Sequence, residues 1–344
     1  MNFDKEYFYN IAKDLLLTPS PSGFCHNIIT KIENYAKELN LPCQRTKKGN
    51  AIITFKGKNP DYVIGLSAHV DTLGLMVRSI NSDGTLRVTT IGGNQANSLI
   101  GEYCTIYTRE NKKYTGTILT TSYSSHVFDD VNSKGSKFDD LIIRIDEVVK
   151  SKNDTLNLGI SNGDFIAIDP KTTITPSGFI KSRHLDDKIS VAIVFTVFKM
   201  FIDNNILPNN SIEFIISTYE EVGHGASYIP NNIDELIAVD MGCIGLDLAC
   251  TEYDVSICAK DSSGPYDYGI TSKLVEIAKK EKINYVVDIY PNYGSDASAA
   301  LRGGNNIKAG LIGPGVHASH GMERTHIDAC LATMNLLSNY LTQK

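Results

Sequence analysis

The feature that most constrains the fold is an interruption. Helical and strand-like patterns alternate at both ends of this 344-residue chain, but the stretch from about Thr72 to Lys171 holds only short alternating runs and no long helical pattern. Thr85 to Ile91, Tyr103 to Thr108 and Ile142 to Val148 are such runs, punctuated by turn signals like Asn81-Ser82-Asp83-Gly84. That texture predicts a compact all-β module of about 100 residues.

Outside it the pattern changes. Phe8, Ile11 and Leu15, then Ile28, Ile29, Ile32, Tyr35, Ala36 and Leu39, recur at helical spacing on either side of the breaker cluster Thr18-Pro19-Ser20-Pro21-Ser22-Gly23. Strand-like runs follow at Ala51 to Phe55 and Val63 to Ala68, split by the turn Lys56-Gly57-Lys58-Asn59-Pro60. After the β stretch, helical patterns near 187–204, 267–282, 295–303 and 325–342 interleave with apolar strands at 211–218, 235–240, 254–259, 285–290 and 307–312. Such alternation predicts a three-layer α/β/α domain, with helices on both faces of a mostly parallel sheet. It would be built from residues 1–72 and 172–344, with an inserted β domain at 73–171.

Composition removes several function classes. Hydrophobic residues make up 42% of the chain and charged residues 21%, enough for a full core and against disorder. The net charge of −6 carries no electrostatic footprint for nucleic acid and no basic stripe for an anionic membrane. No stretch reaches the ~18 apolar residues of a membrane span, and Met1 to Glu6 lacks a basic region leading into an apolar run. The expected location is the cytoplasm. Cys25, Cys43, Cys104, Cys243, Cys250, Cys258 and Cys330 form no Cys-x-x-Cys pair, and their odd number predicts reduced thiols rather than a disulfide framework.

Ligands in open α/β sheets bind beyond the carboxyl ends of the strands. Val63 to Ala68 runs into His69-Val70-Asp71, Ile212 to Tyr219 into Glu220-Glu221-Val222-Gly223, and Leu236 to Val239 into Asp240. Ala309 to Ile312 leads to His317 and His320, and the first helix after the β stretch opens with His184-Leu185-Asp186-Asp187-Lys188. Imidazoles and carboxylates gathered at one sheet edge, without thiolates, suit two closely spaced divalent ions such as zinc, cobalt or manganese. Residues i and i+2 on extended backbone point the same way, so Asp71 is expected to accept the free ring N–H of His69. Glu220 and Glu221 cannot share one direction: one can ligate while the other takes a proton from an activated water and passes it to a leaving amine.

In this order the motifs resemble the co-catalytic metallopeptidases of the tetrahedral (TET-type), glutamyl aminopeptidase-like family, metallopeptidase family forty-two in clan MH. Ala68-His69-Val70-Asp71, Leu185-Asp186-Asp187-Lys188, Glu220-Glu221-Val222-Gly223-His224-Gly225-Ala226, Ala238-Val239-Asp240 and Gly294-Ser295-Asp296-Ala297 carry the resemblance, which covers essentially the whole chain. It implies His69, Asp186 and Asp240 on one metal, and Asp186, Glu221 and a C-terminal histidine on the other. Glu220 would be the general base, Asp71 the partner of His69, and the Asp186-Asp187 peptide cis. It further implies that the insert is a barrel-like dimerisation module and that dimers assemble into a dodecameric shell acting on peptides. Two departures stand out: Thr72 replaces the acidic residue usual after His-x-Asp, and the last histidine lies in Val316-His317-Ala318-Ser319-His320-Gly321-Met322-Glu323 rather than Arg-Tyr-x-His. Counting back from Glu323 favours His320 over His317.

The expected activity is a metal-dependent aminopeptidase trimming short peptides. A di-metal amidohydrolase or deacylase on a non-peptide or N-blocked substrate is the alternative, followed by a metal-free glycosidase using Glu220 and Glu221 and by a non-enzymatic assembly protein. Plainer readings stand beside several residues. Gly294-Ser295-Asp296 can simply cap a helix, Tyr285, Tyr290 and Tyr293 can be packing, and His184 and His224 can be loop residues near the site.

Overall fold

The computed structural model describes residues 2–343. Four strands form the parallel centre of a ten-stranded sheet, adjacent in the order Asn210–Ser217, Asn59–His69, Glu235–Val239 and Lys308–Val316. The margins are antiparallel: Ala51–Phe55 pairs with Asn210–Ser217 on one side, and Val255–Asp261 pairs with Lys308–Val316 on the other. Asn210–Ser217 thus slots between Ala51–Phe55 and Asn59–His69, so the turn at 56–58 joins strands that are not hydrogen-bonded neighbours.

The expectation of helices on both faces holds unevenly. On one face Ile64, Leu66, Ala68, Phe214, Ile237 and Ile312 join a core supplied by five helices, Lys5–Leu16, His26–Glu38, Leu185–Asp203, Tyr268–Lys280 and Ile327–Thr342. Leu185–Asp203 lies against both Lys5–Leu16 and Ile327–Thr342 and is buried almost all round, which fits a helix apolar on every side. The opposite face, with Val63, Ile215, Leu236, Ala238 and Leu311, is covered by the short helix Asp296–Arg302 and the loop residues Ala226, Ile229 and Ile233. Alternation in sequence reveals that a strand is buried on both sides but not what covers each side.

The chain leaves the sheet at His69 and winds into a closed antiparallel barrel. Its strands run Gly74–Ile80, Leu86–Ile91, Leu141–Ile145, Lys113–Thr120, Tyr103–Tyr107 and Phe165–Ile168, the last pairing back onto the first. Leu75, Val77, Leu86, Ile106, Ile118, Ile143 and Ile166 fill a core of its own, and closure leaves no open sheet edge. The chain then returns through a small three-stranded sheet, Thr173–Ile174, Phe179–Ser182 and Glu323–His326, in which Ser182 stands opposite Glu323. That pairing brings the C-terminal hairpin beside the start of Leu185–Asp203.

Candidate metal centre

The strand ends deliver the side chains. His69 closes Asn59–His69 in register with Ser217, and by the alternation of the pleat it faces the same thinly covered side as Val63. Asp240 follows Glu235–Val239 and shares that side with Leu236 and Ala238. Glu220 and Glu221 open a 3-10 turn after Asn210–Ser217, and the turn ends at Gly223 with φ 85°, a conformation glycine adopts without a Cβ penalty. Gly225 lies so close to the Ser217 hydroxyl and the Asp296 carboxylate that any Cβ would collide with both. Asp186 and Asp187 enter from the start of Leu185–Asp203 across a cis peptide bond.

Six of the seven residues singled out in the sequence converge as side chains, and the seventh, Asp71, lies directly behind them. His69 Nε2 is 3.1 Å from Asp186 Oδ1 and 3.6 Å from Glu220 Oε2. His320 Nε2 is 3.6 Å from Asp186 Oδ2 and 3.5 Å from Glu221 Oε2. Each oxygen of Asp186 therefore faces a different histidine, and the two adjacent glutamates point at different histidines. Two groups of donor atoms, His69 with Asp187 and Asp240, and His69 with Asp186 and Glu221, each lie within 4.8 Å of one another.

Asp71 departs from its expected role. The nearest acceptor for His69 Nδ1 is the main-chain oxygen of Asp71 at 2.9 Å, while its carboxylate stands 3.6 Å away. The fully buried carboxylate instead accepts from the amides of Glu220 (3.1 Å) and Glu221 (3.2 Å) and from the Ser22 hydroxyl (2.6 Å). The i, i+2 geometry does bring Asp71 to His69, but the carbonyl reaches the ring first and the side chain is left to hold the Glu220–Glu221 turn. Thr72, at the position of the departure, is buried and donates its hydroxyl to the carbonyl of Leu73.

His320 takes a left-handed backbone, φ 62°, uncommon outside glycine. Its amide donates to Glu323 Oε1 (3.1 Å), and the other oxygen of Glu323 accepts the Asp186 amide at 3.0 Å. His320 Nδ1 lies 3.0 Å from the Gly93 carbonyl, supplied by the inserted β domain, so Nε2 is the nitrogen turned to the carboxylates. His317 is exposed and contributes main-chain hydrogen bonds to Arg324.

Electrostatics within the cluster favour a cation. Burial, and then neighbouring carboxylates, push Asp187, Glu220, Glu221 and Glu323 well above the usual carboxylate range. Burial and the Asp186 charge move Asp240 up to about 7. Asp186 runs the other way: against its burial, the hydrogen bond to His69 holds it low. His69 is raised in spite of burial because Asp186, Glu220 and Asp71 surround it. Asp187 Oδ1 is buried without a hydrogen-bond partner. Carboxylates that cannot all ionise together, two imidazoles and an orphaned buried oxygen are a donor set that fits divalent metal ions.

A cavity of about 430 Å³ opens onto this cluster, lined by Asp186, Glu220, Glu221, Asp240, Cys243, Tyr293, Arg302 and His320, with Gly93 and Gln95 from the insert. Lys188 and Arg183 do not reach it. Lys188 is fully buried and donates to the Thr18 carbonyl, and Arg183 pairs with Glu102 at 3.1 Å and donates to the Ser98 carbonyl. His184 is buried and held neutral by burial and by Lys188 and Arg183, and His224 stacks on Tyr219. Ser295 forms a capping box with Ser298, as the plainer reading has it, while Tyr293 lines the cavity rather than merely packing. All seven cysteines are free thiols. Sequence reading missed Glu323 as a support and Gly93 and Gln95 as wall. The one available signal was a lone acid three residues after His320.

Comparison with known proteins agrees with the geometry. The family model described as M42 glutamyl aminopeptidase matches residues 49–336. The chain is 47% identical over 332 residues, 96% of each protein, to "Putative aminopeptidase YhfE" of Bacillus subtilis (strain 168). Its fold superposes on a TET1 peptidase of Pyrococcus horikoshii that assembles into a tetrahedron or a large octahedral shell, with TM-score 0.85, 22% identity and coverage of 98% of this chain and 100% of that one. It also superposes on an aminopeptidase of Desulfurococcus kamchatkensis with TM-score 0.87, 22% identity and coverage of 99% and 95%. A family match across most of the sequence and a near full-length relative together establish that the chain belongs to the M42 glutamyl aminopeptidase family, hydrolases acting on peptides.

Proposed function

We propose that the chain is a metal-dependent aminopeptidase that removes N-terminal residues from short peptides, with Glu220 as general base. The observation that carries this reading is the convergence of two imidazoles and a ring of buried carboxylates on one cavity. His69, Asp186 and Asp240 would hold one cation and Asp186, Glu221 and His320 the other, with Asp186 between them. The opposed directions of its two oxygens support that bridge. Zinc suits the donors, with cobalt or manganese as alternatives. Bound there, two divalent ions supply polarisation of the scissile carbonyl and acidification of a water.

The residues do the rest. Glu220 lines the cavity and stands 3.6 Å from His69 Nε2, a position that suits a carboxylate that takes a proton and then gives it to the leaving amine. Asp71 holds the amides of Glu220 and Glu221, which keeps their side chains facing the cavity. The carboxylate rim favours a free α-ammonium. Lys188 and Arg183, the cations flanking the motif, are committed elsewhere and do not themselves offer a charge to a terminal carboxylate at the cluster.

Self-association belongs to the barrel in this reading. Tyr103, Val127 and Val148 are large apolar side chains left in solvent on the insert.

Metal analysis together with a peptide digest tests the proposal. About two divalent ions per chain and stepwise loss of N-terminal residues are expected, with N-acetylated peptides resistant. Equal cleavage of acetylated peptides would favour the deacylase alternative. Shortening from the C-terminus, or full activity with one ion or none, would overturn the proposal.

A further inference from the structure

We infer that Arg302 recognises a carboxylate on the substrate, so that preferred substrates are peptides carrying a carboxylate within two or three residues of the free amine. The inference rests on the aminopeptidase reading for the position of the amine. Its material is the one guanidinium among the described residues lining the cavity that Asp186, Glu220, Glu221 and Asp240 also line.

The distance is set by a short helix. Asp296, its first residue, is buried and accepts from the Ser217 hydroxyl (2.7 Å) and the Ala226 amide (2.8 Å), against the walls that carry Glu220. Arg302 is the last residue of the same helix, six steps on, or about 9 Å at 1.5 Å per residue. A sphere of the cavity's volume is also about 9 Å across. An extended peptide advances roughly 3.3–3.6 Å per residue, so a chain whose amine sits at the carboxylates reaches Arg302 with its second or third residue.

The guanidinium is available. Nη1 donates to the Ser263 hydroxyl at 2.6 Å, which steadies the side chain, and among the described residues Arg302 forms no ion pair with a carboxylate. Arg302 as a whole is exposed, and a guanidinium fork suits bidentate binding of a carboxylate. The cavity lining thus combines a cluster of carboxylates with one guanidinium, a pairing of charges that matches the zwitterion of a short peptide. That carboxylate can come from the peptide's C-terminus or from an acidic side chain.

The test compares Ala-Ala with Ala-Ala-amide, and Ala-Asp-amide with Ala-Asn-amide, for the metal-loaded wild type and for Arg302→Gln and Arg302→Lys. The wild type should hydrolyse the carboxylate-bearing member of a pair with kcat/KM about tenfold higher, mainly through KM. A difference confined to the first pair assigns the chain terminus, and one in the second assigns the acidic side chain. Arg302→Gln should abolish the difference by slowing the carboxylate-bearing members, with metal stoichiometry kept, and Arg302→Lys should retain part of it. Equal hydrolysis of both members by the wild type, or equal slowing of both by Arg302→Gln, would overturn the inference. Failure of the aminopeptidase reading looks different: the wild type would then release no alanine from Ala-Ala-amide.

Discussion

Replacing Asp71 with asparagine separates two roles that sequence alone would merge. The buried carboxylate accepts three hydrogen bonds, through Oδ1 from Glu220 N and through Oδ2 from Glu221 N and Ser22 Oγ. Asparagine offers one oxygen. Placed where it keeps Ser22 and Glu221, it turns an NH₂ toward the Glu220 amide and leaves two buried donors facing each other. A hydrogen bond to a charged acceptor contributes about 1.5–3 kcal/mol, and an unsatisfied buried donor costs about 1–3 kcal/mol. The expected loss of stability is therefore about 3 kcal/mol, read as a clear drop in melting temperature of the metal-loaded protein. Moving the Glu220 backbone misplaces the base, and an error near 1 Å costs about 10²-fold in turnover. Metal should stay bound at His69, because its Nδ1 is held by the Asp71 carbonyl at 2.9 Å and that carbonyl survives the substitution. Titration of metal against a competing chelator, beside kcat/KM and thermal melting, gives all three quantities. Unchanged melting and turnover, or loss of the His69 metal with turnover restored on reloading, would refute the reasoning.

Three further outcomes are expected. Glu220→Gln should lower kcat by orders of magnitude with both metals retained, whereas Glu221→Gln should weaken one metal site; equal metal loss in both, read by elemental analysis, contradicts the division. In metal-stripped protein, Asp240 binds its proton more tightly folded than unfolded, so the native state holds more protons and stability falls as pH rises from about 4 to about 7. Melting curves at pH 5 and 8 should show that fall, and it should vanish or reverse in metal-loaded protein. Val127→Asp with Val148→Asp on the barrel should reduce the sedimenting mass toward the 37.7 kDa of one chain, and a wild type already at that mass at micromolar concentration contradicts assembly through the insert.

What the sequence disclosed depended on chain distance. Ala51–Phe55 was readable to the residue, and Leu185–Asp203 nearly so, because a pleat or an apolar helix writes its period locally. Most of the ligand candidates were readable because they close or follow a strand or open a helix; His320 instead sits in the turn after Lys308–Val316. Glu323 was not, since its function is to accept the amides of His320 and of Asp186, and the latter lies 137 residues away. Gly93 lies 227 residues from His320, and it contributes a carbonyl that every residue possesses, so nothing in its side chain marks the role. Asp71 was readable as a partner of His69 but assigned through the wrong atom, because side-chain logic omits the main chain.

Asp71 and Glu323 turn out to be the same device used twice. Each is a fully buried acid that spends both oxygens on amides of residues proposed as ligand or base: Asp71 on Glu220 and Glu221, Glu323 on Asp186 and His320. The side chains of those four residues are thereby left to face the cavity, and His320 is held in its left-handed conformation by the acceptor below it. The two acids should consequently fail differently. Glu323→Gln keeps the shape but can accept only one amide through its oxygen, so either Asp186 or His320 loses its anchor while Glu220 does not. Removing such a support typically weakens metal affinity about 10- to 100-fold, and that loss should fall on the cation shared by Asp186 and His320, with kcat restored at saturating metal. Asp71→Asn should instead lower kcat at every metal concentration. Metal titrations of both variants that gave the same pattern would mean the two acids act merely as parts of one packed wall.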